Sequence, residues 1–150
     1  MKMYFLLSMG LVIFFNSDIS AQDGKEPNSR SKEIYLLIDN YALAREKKDT
    51  VLLRKILTND IDQLVSTGEW RYGINEAIKG MLQSSVGNPG SRILKVEKVR
   101  FLDESTAIAD AHYEIKNPDN TIRKMWSSFV AVKALGTWKI AAIRNMLPGK

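Results

Sequence analysis

The side chains best suited to acid–base chemistry lie close together in one segment, where His112 follows Asp110 by two residues. His112 is the single histidine of the sequence, and imidazole is the group that most readily takes or gives a proton near neutral pH. On a β-strand the two residues share a face at about 7 Å, so Asp110 would support the imidazolium without a guaranteed hydrogen bond. The pair is a candidate for acid–base catalysis, and an exposed or structural histidine is the simpler alternative.

Tyr41 is a second candidate, because a phenol hydroxyl can donate a hydrogen bond to a ligand or accept one. It belongs to an apolar series whose three-four spacing predicts an amphipathic helix with Tyr41 on the inner face. A tyrosine in that position commonly bonds its hydroxyl within the core, so both roles stay open. The other members of the series are Ile34, Leu37, Ile38 and Ala42.

The segment that carries His112 alternates as a strand does, with successive side chains on opposite faces. Taken by themselves, the residues place the polar face in water, as is common for one side of an antiparallel sheet. The first face holds Ala107, Ala109, Ala111, Tyr113 and Ile115, and the second holds Ile108, Asp110, His112 and Glu114.

Composition excludes several kinds of site. The chain of 150 residues has no cysteine, which removes disulfides, thiolate metal sites and a lipoprotein anchor. One histidine with scattered carboxylates offers too few ligands for the usual metal site, and no phosphate loop or dinucleotide fingerprint appears, so we expect neither metal nor cofactor. The net charge of +5 is spread over interleaved basic and acidic residues, which predicts a solvated surface and no nucleic-acid partner.

The amino-terminal segment resembles a secretory signal, with Lys2, an apolar run over residues 4–15 and a small-residue cleavage motif ending at Ala21. The run falls short of the roughly 20 residues that span a bilayer. We therefore expect cleavage, export to the periplasm or the medium, and no stable membrane insertion of the mature chain.

The remaining chain divides into a flexible lead-in over residues 22–31 and one domain over residues 32–148. Helical patterns come first, with Asp49 as the cap of a second, shorter helix and a third helical segment over residues 75–83. A β-like stretch begins at Ile61, and residues 68–73 are predicted to form a turn. Four β-rich segments joined by short connections then predict a meander of hairpins, so the fold class is α+β. These segments span residues 91–102, 106–116, 121–133 and 137–146.

The order of these elements and a set of local motifs resemble the SnoaL-like, nuclear transport factor 2-like superfamily, and within it the SgcJ/EcaC-type group. The resemblance covers residues 33–147. The motifs are Tyr41-Ala42 with Lys48-Asp49, Asn59-Asp60, Gly68-x-Trp70-x-x-Gly73, Val99-Arg100-Phe101-Leu102 with Thr106-Ala107-Ile108-Ala109, and Gly136-Thr137-Trp138-Lys139-Ile140 with Arg144-Asn145.

The resemblance implies a cone-shaped, strongly curved antiparallel sheet wrapped round the amino-terminal helices, with a cavity that opens at one end. It implies pairing of two copies through the outer sheet face. It also implies that the polar face of the strand that carries His112 points inward. Asp110 and His112 would then line the cavity, and the face that carries the alanines would lie outside. The superfamily contains enzymes and binding domains, so the fold alone does not choose a reaction.

Comparison with ketosteroid isomerase, a member of that superfamily, argues against its mechanism. Tyr41 matches the enzyme's tyrosine, but the catalytic base falls at Val65 and the second acid falls at residues 127–129, and none of these is acidic. The resemblance places Ser127 and Asn145 on the inner face and Trp70 beside the mouth of the cavity. It thus implies that Tyr41, Trp70, Asp110, His112, Ser127 and Asn145 contact a ligand.

Three functional hypotheses follow. The first is an exported domain that binds a small, partly apolar molecule inside the cone. The second is an isomerase, cyclase or dehydratase with His112 as acid–base, Asp110 orienting it and Tyr41 polarising a carbonyl; this requires His112 and Tyr41 to face one cavity. The third is a platform for dimerisation or for another exported protein.

Overall fold

A computed structural model describes residues 28–149. The predicted signal and residues 22–27 of the predicted lead-in lie outside the described residues. The described part confirms the predicted α+β class, with helices first and a long meander afterwards. Its elements are α1 (Ser29–Lys47), α2 (Thr50–Ile56), β1 (Leu57–Leu64), β2 (Trp70–Tyr72), α3 (Gly73–Gly87), β3 (Ser91–Phe101), β4 (Thr106–Lys116), β5 (Ile122–Ala134) and β6 (Thr137–Met146).

The first two helices begin at side-chain caps. The Asn28 carboxamide oxygen accepts from the backbone N–H of Ser31 at 2.9 Å, so α1 starts at Ser29 and includes the last residues of the predicted lead-in. Asp49 caps α2 as predicted, accepting from the N–H of Leu52 at 2.9 Å. The two caps orient the helical hairpin that covers one side of the sheet.

Three elements differ in extent from the prediction. β1 begins already at Leu57 and not at Ile61, because the chain leaves α2 directly into the sheet. The predicted turn contains the short strand β2, which pairs antiparallel with β1. α3 is longer than the predicted segment. Gly73, with a φ of +75°, lets the chain turn from β2 into α3 without steric strain.

The six strands form one curved, unclosed sheet in the order β2-β1-β6-β5-β4-β3. All neighbours are antiparallel except β1 and β6, which run parallel. The register shifts between Val96 and Lys98 in β3, and between Val130 and Ala131 in β5. Such bulges increase local bend and twist, which helps the sheet to curve round the helices.

The core lies between the concave face of the sheet and the three helices. Large apolar side chains from all three helices meet alanines and a phenylalanine of the central strands. Trp138 on β6 donates its indole N–H to Glu33 of α1 at 2.7 Å, which fixes the start of α1 against the sheet. The largest fully buried apolar side chains are Tyr41, Phe129, Ile34, Ile38, Leu53, Leu57, Ile61, Met81, Ile140 and Ile143.

The orientation of β4 corrects one prediction from the family resemblance. Ala107, Ala109 and Ala111 are fully buried in the core, whereas Asp110 and His112 lie on the opposite, convex face. The prediction made from the residues alone, that the polar face of this strand points to water, was therefore right. Small alanines suit this position because they let the helices pack close to the sheet.

Candidate functional site

A cavity of about 40 Å³ remains at one end of the concave face, where the last turns of α1 and α3 meet the sheet. Most of its lining is polar, although Val65, Ile115 and Met125 contribute apolar surface. The polar side chains around it are Arg45, Gln63, Ser66, Arg71, Ser84, Tyr113, Arg123 and Asn145. The helices and strands that carry these side chains are far apart in the sequence. The curvature of the sheet brings the side chains together.

Arg45 is the most deeply buried charge of the cavity, with 5% of its surface exposed. Its guanidinium donates to the Tyr41 hydroxyl at 2.9 Å, to the Met81 carbonyl at 3.3 Å and to the Ser85 hydroxyl at 3.5 Å. Nε of Arg45 has no partner among residues 28–149. A buried guanidinium held only by neutral oxygens is incompletely compensated.

The protonation states of Tyr41 and Arg45 are fixed by burial and by each other. Desolvation raises the pKa of the Tyr41 phenol above its usual value, against the opposing pull of the Arg45 charge. Desolvation lowers the pKa of Arg45, but the electrostatic interactions with Tyr41 and Tyr113 and the hydrogen bond to Tyr41 outweigh it, so the pKa lies above its ordinary value. Near neutral pH the pair is therefore a neutral phenol beside a full positive charge.

Arg71 reaches the cavity from β2 across the surface of α3. It donates to Glu69 at 2.8 Å and to the buried Gln63 at 3.4 Å. Its guanidinium lies directly on Gly80, where the Cβ of any other residue would overlap it. Gly80 thus provides the space that Arg71 occupies.

Arg123 completes a set of three guanidinium groups around the cavity. It lies on β5 and donates to the Ser66 hydroxyl at 2.9 Å. Among residues 28–149, no carboxylate lines this cavity and neither Arg45 nor Arg123 forms an ion pair. The described residues that line the cavity therefore carry an excess of positive charge.

Asn145 and Ser127 occupy the inner face, as the resemblance implied. The Ser127 hydroxyl is buried and donates to the Asn145 carboxamide oxygen at 2.6 Å. Asn145 lines the cavity, whereas Ser127 lies behind it. Of the six predicted ligand residues, Asn145 is the one that borders this space directly.

Tyr41 lies on the inner face but does not line the cavity. Its ring packs edge-on against Phe129, with ring centroids 5.4 Å apart. Its hydroxyl accepts a hydrogen bond from Arg45. Tyr41 therefore contributes to the site by helping to position that guanidinium.

His112 and Asp110 lie outside the cone, which corrects their predicted place in the cavity. The imidazole packs against Trp126 with ring centroids 3.8 Å apart and the ring planes tilted by 35°, and its Nε2 lies 3.1 Å from Glu97. The Asp110 carboxylate accepts from the Ser128 hydroxyl. The sheet separates this row from Tyr41, so the enzyme mechanism that needs His112 and Tyr41 in one cavity is wrong.

Trp70 is also on the convex side, 43% exposed, which corrects its predicted place beside the cavity mouth. It stacks on Tyr72 with ring centroids 5.7 Å apart and lies under the guanidinium of Arg144 at 4.7 Å. Arg144 in turn pairs with Asp62 at 2.8 Å. These contacts place Trp70 in an exposed surface cluster and not in a ligand cavity.

The three cavity arginines were not identified as candidates from the sequence. Arg45 follows Tyr41 by four residues, so it falls on the same apolar face of α1, and a charge at such a position is a visible exception to the pattern. Arg71 and Arg123 have no comparable signal, because their placement depends on the register of β2 and β5.

The solved structures that this chain resembles share its fold at low sequence identity. A cystatin-like domain of unknown function from Nostoc punctiforme superposes with a TM-score of 0.73 at 16% identity, covering 83% of this chain and 81% of that one. A nuclear transport factor 2-like superfamily protein from Salmonella enterica gives 0.65 at 20% identity, with 79% and 91% covered. A nuclear transport factor 2-like protein of unknown function from Shewanella oneidensis gives 0.67 at 13% identity, with 78% and 98% covered.

These similarities show that the chain has the nuclear transport factor 2-like, or cystatin-like, fold. No protein-family model and no curated protein matches the sequence. Within residues 28–149, no helix combines the length and apolar character needed to cross a bilayer. The same residues contain no group of three or more His, Asp or Glu side chains placed to hold a metal ion.

Proposed function

We propose that this protein binds a small molecule, whose polar end occupies the cavity lined by Arg45, Gln63 and Asn145. The observation that carries the proposal is the convergence of polar groups on a concave space that helices and sheet leave open. Concave sites with a few converging polar groups are the usual form of small-molecule sites. Nuclear transport factor 2-like folds fit such a role.

The cavity size limits what can enter. Its 40 Å³ exceeds the roughly 10–15 Å³ that one water molecule needs but is far below the roughly 300–1,000 Å³ of sites for drug-sized ligands. A head group of a few heavy atoms fits, and the rest of a larger ligand would extend toward solvent. This size argues against a steroid or another large flat ligand held wholly within the cone.

The proposal is binding and not catalysis. No imidazole or carboxylate lines the cavity among residues 28–149, so the described residues place no ordinary general base next to a bound molecule. Tyr41, a neutral phenol with its hydroxyl occupied by Arg45, does not replace one.

A fragment screen by protein-observed NMR tests the proposal. We expect fragments that shift the signals of Asn145 and its neighbours, and we expect Asn145→Leu to abolish those shifts by filling the cavity with an apolar group. His112→Ala is the matched control, since it lies on the convex face and should leave binding unchanged. Fragments that bind equally well to the Asn145 variant would contradict the proposal.

We also propose that two copies pair through the convex sheet face, as the family resemblance implies. The support is an exposed aromatic and apolar surface that includes Trp70, Tyr72 and Met146, since exposed patches of this kind mark interaction sites. Light scattering should then give a dimer that Trp126→Lys converts to a monomer. Leu36→Lys, at an exposed position on α1, is the control. A monomer at all concentrations would contradict pairing.

We propose further that the chain is exported to the periplasm or the medium after cleavage at Ala21. The support is the charge, apolar run and small-residue motif of residues 1–21. Amino-terminal sequencing of the exported protein should begin at Gln22. Retention of Met1 in a cytoplasmic product would contradict export.

Finally, we propose membership of the SgcJ/EcaC-type group of SnoaL-like proteins. The support is the ordered set of motifs over residues 33–147 together with the fold. Superposition on a solved member of that group should bring the Gly136-Thr137-Trp138 motif into register with its counterpart. A shifted register would contradict the assignment.

A further inference from the structure

We propose that the group held in this cavity is a carboxylate of a small organic acid, with Arg45 as its buried anchor and Arg71 and Arg123 beside it. This inference rests on the proposed binding function and specifies the chemistry of the ligand. Four features of the described residues lead to it: the charge balance, the poor compensation of Arg45, the size of the cavity and the fixed position of Arg71.

The charge balance of the cavity is one-sided. Three guanidinium groups border it, and none of its lining residues is acidic. Among residues 28–149, Glu69 is the one carboxylate paired with any of the three, and its side chain is 58% exposed. Solvent weakens an ion pair of this exposure, so most of the positive charge around the cavity lacks a counter-charge. A bound anion would supply this counter-charge.

A second buried arginine shows how this protein compensates a guanidinium for structural purposes. Arg92, 7% exposed, donates to the carbonyls of Ser84, Asn88 and Gly90 at 3.4, 2.8 and 3.1 Å. The carbonyls of Ser84 and Asn88 lie at the carboxyl end of α3, where the helix carries partial negative charge, and that of Gly90 lies in the turn that follows. Three carbonyls of the fold therefore compensate Arg92, although its Nε, like that of Arg45, has no partner among residues 28–149.

Arg45 has one carbonyl partner where Arg92 has three. Its shortest contact is a neutral phenol, and its contacts to Met81 and Ser85 are long, at 3.3 and 3.5 Å. The Ser85 hydroxyl already bonds the same Met81 carbonyl at 3.0 Å. Arg45 is therefore not needed to satisfy that carbonyl, and its burial beside a cavity is explained better by a ligand than by helix capping.

The cavity size and the guanidinium geometry select a carboxylate among anions. A planar carboxylate accepts two parallel hydrogen bonds from one guanidinium. The 40 Å³ available suits this group with a short stem better than a tetrahedral phosphate with four oxygens. The amide of Asn145 borders the same space and offers a further donor.

The position of Arg71 is fixed before any ligand arrives. Glu69, Gln63 and the bare surface of Gly80 hold its guanidinium in place. A preorganised charge loses little conformational entropy on binding. Arg71 therefore adds attraction without having to be ordered by the ligand.

A paired NMR titration with acetate and acetamide tests the inference, because the two probes have the same shape and differ in charge. At constant ionic strength set with sodium chloride, we expect acetate to shift the Arg45 Nε–Hε signal with millimolar affinity, and acetamide to bind at least tenfold more weakly. Arg45→Met should abolish the acetate response, read in that variant from the side-chain amide signal of Asn145, and Arg123→Gln, at a more exposed site, should weaken the response several-fold. Arg144→Gln removes one charge from the convex face and should leave it unchanged.

The outcomes separate this inference from the proposed function. Equal binding of acetamide and acetate would overturn the carboxylate assignment while leaving a small-molecule site. No acetate response would mean that water alone compensates Arg45; neutral fragments found in the screen would then keep the proposed function. Tighter binding of inorganic phosphate than of acetate would also overturn the assignment. An equal loss of acetate binding in Arg144→Gln would show attraction by net charge only.

Discussion

The guanidinium of Arg45 donates to the hydroxyl of Tyr41 at 2.9 Å, and both side chains are buried on the same face of α1. The apolar face of a helix that packs into a core thus carries a charge four residues after its central aromatic residue. This pair connects the hydrophobic core of the cone to the polar cavity at its end.

The Tyr41 phenol should titrate above the usual pKa of 10.0, because desolvation disfavours its anion despite the nearby Arg45. The unfolded chain then loses this proton first as the pH rises. The contribution of Tyr41 to stability is therefore complete below about pH 10 and is lost progressively above it. Absorbance at alkaline pH should show one late-titrating phenol that Tyr41→Phe removes. A late phenol that persists in the variant would contradict this assignment.

Arg45 should matter for binding more than for stability. In the double variant Tyr41→Phe with Arg45→Met, an uncompensated charge and its phenol partner are both replaced by apolar groups of similar size. Such replacements are often neutral or stabilising, so we expect the free energy of unfolding in urea to change by less than about 1 kcal/mol.

Arg92→Met is the matched control for that variant, because it leaves the carbonyls of Asn88 and Gly90 without their side-chain donor, whereas the Ser84 carbonyl keeps the N–H groups of Asn88. It should cost about 1–3 kcal/mol. If the Arg45 double variant loses as much as the Arg92 variant, Arg45 is a structural residue and its link to a ligand is unsupported.

Gly80→Ala should affect the stability of α3 and the binding of acetate in opposite directions. Alanine favours a helix over glycine by about 0.5–1 kcal/mol, but its methyl group would overlap the Arg71 guanidinium and displace it. We expect acetate binding to weaken several-fold while the fold remains intact. Lys79→Ala, an exposed change one residue earlier, should leave binding unchanged. Unaltered affinity in Gly80→Ala would show that Arg71 contributes nothing to the site.

One residue in the turn between β5 and β6 can be replaced to increase the stability of the fold. Leu135 and Gly136 have φ angles of +50° and +78°, as the tight type I′ hairpin turn requires. Leu135 is fully exposed, and a leucine in this backbone region costs about 1 kcal/mol that asparagine largely avoids. Leu135→Asn should therefore raise the free energy of unfolding by up to about 1 kcal/mol. Leu102→Asn, an exposed loop position without a positive φ, should give no such gain.

The sequence predicted the elements well because their signals are local. The Asp49 cap, the period of the α1 face and the hairpin connections each depend on a few neighbouring residues, and the long strands match within about two residues. β2 was missed because three residues beside a glycine-rich turn carry no strand period of their own.

The cavity could not be predicted in the same way. The alternation of residues along β4 shows that Asp110 and Ala109 face opposite sides of the sheet, but it does not show which side the helices cover. The family resemblance predicted that they cover the side of Asp110, and this prediction was wrong. Arg71 and Arg123 meet Arg45 only through strand register and the bend of the sheet, which no local pattern encodes. Arg45 alone left a visible signal, as a charge on an apolar helical face.

The most direct test is a crystal structure of the protein soaked with 4-bromobenzoate, whose unreactive aryl bromine identifies the bound molecule by its anomalous signal. We expect a carboxylate within hydrogen-bond distance of the Arg45 guanidinium, with the bromine directed away from that guanidinium. Bromine found on the convex face near His112 or Arg144, with water alone beside Arg45, would contradict this expectation.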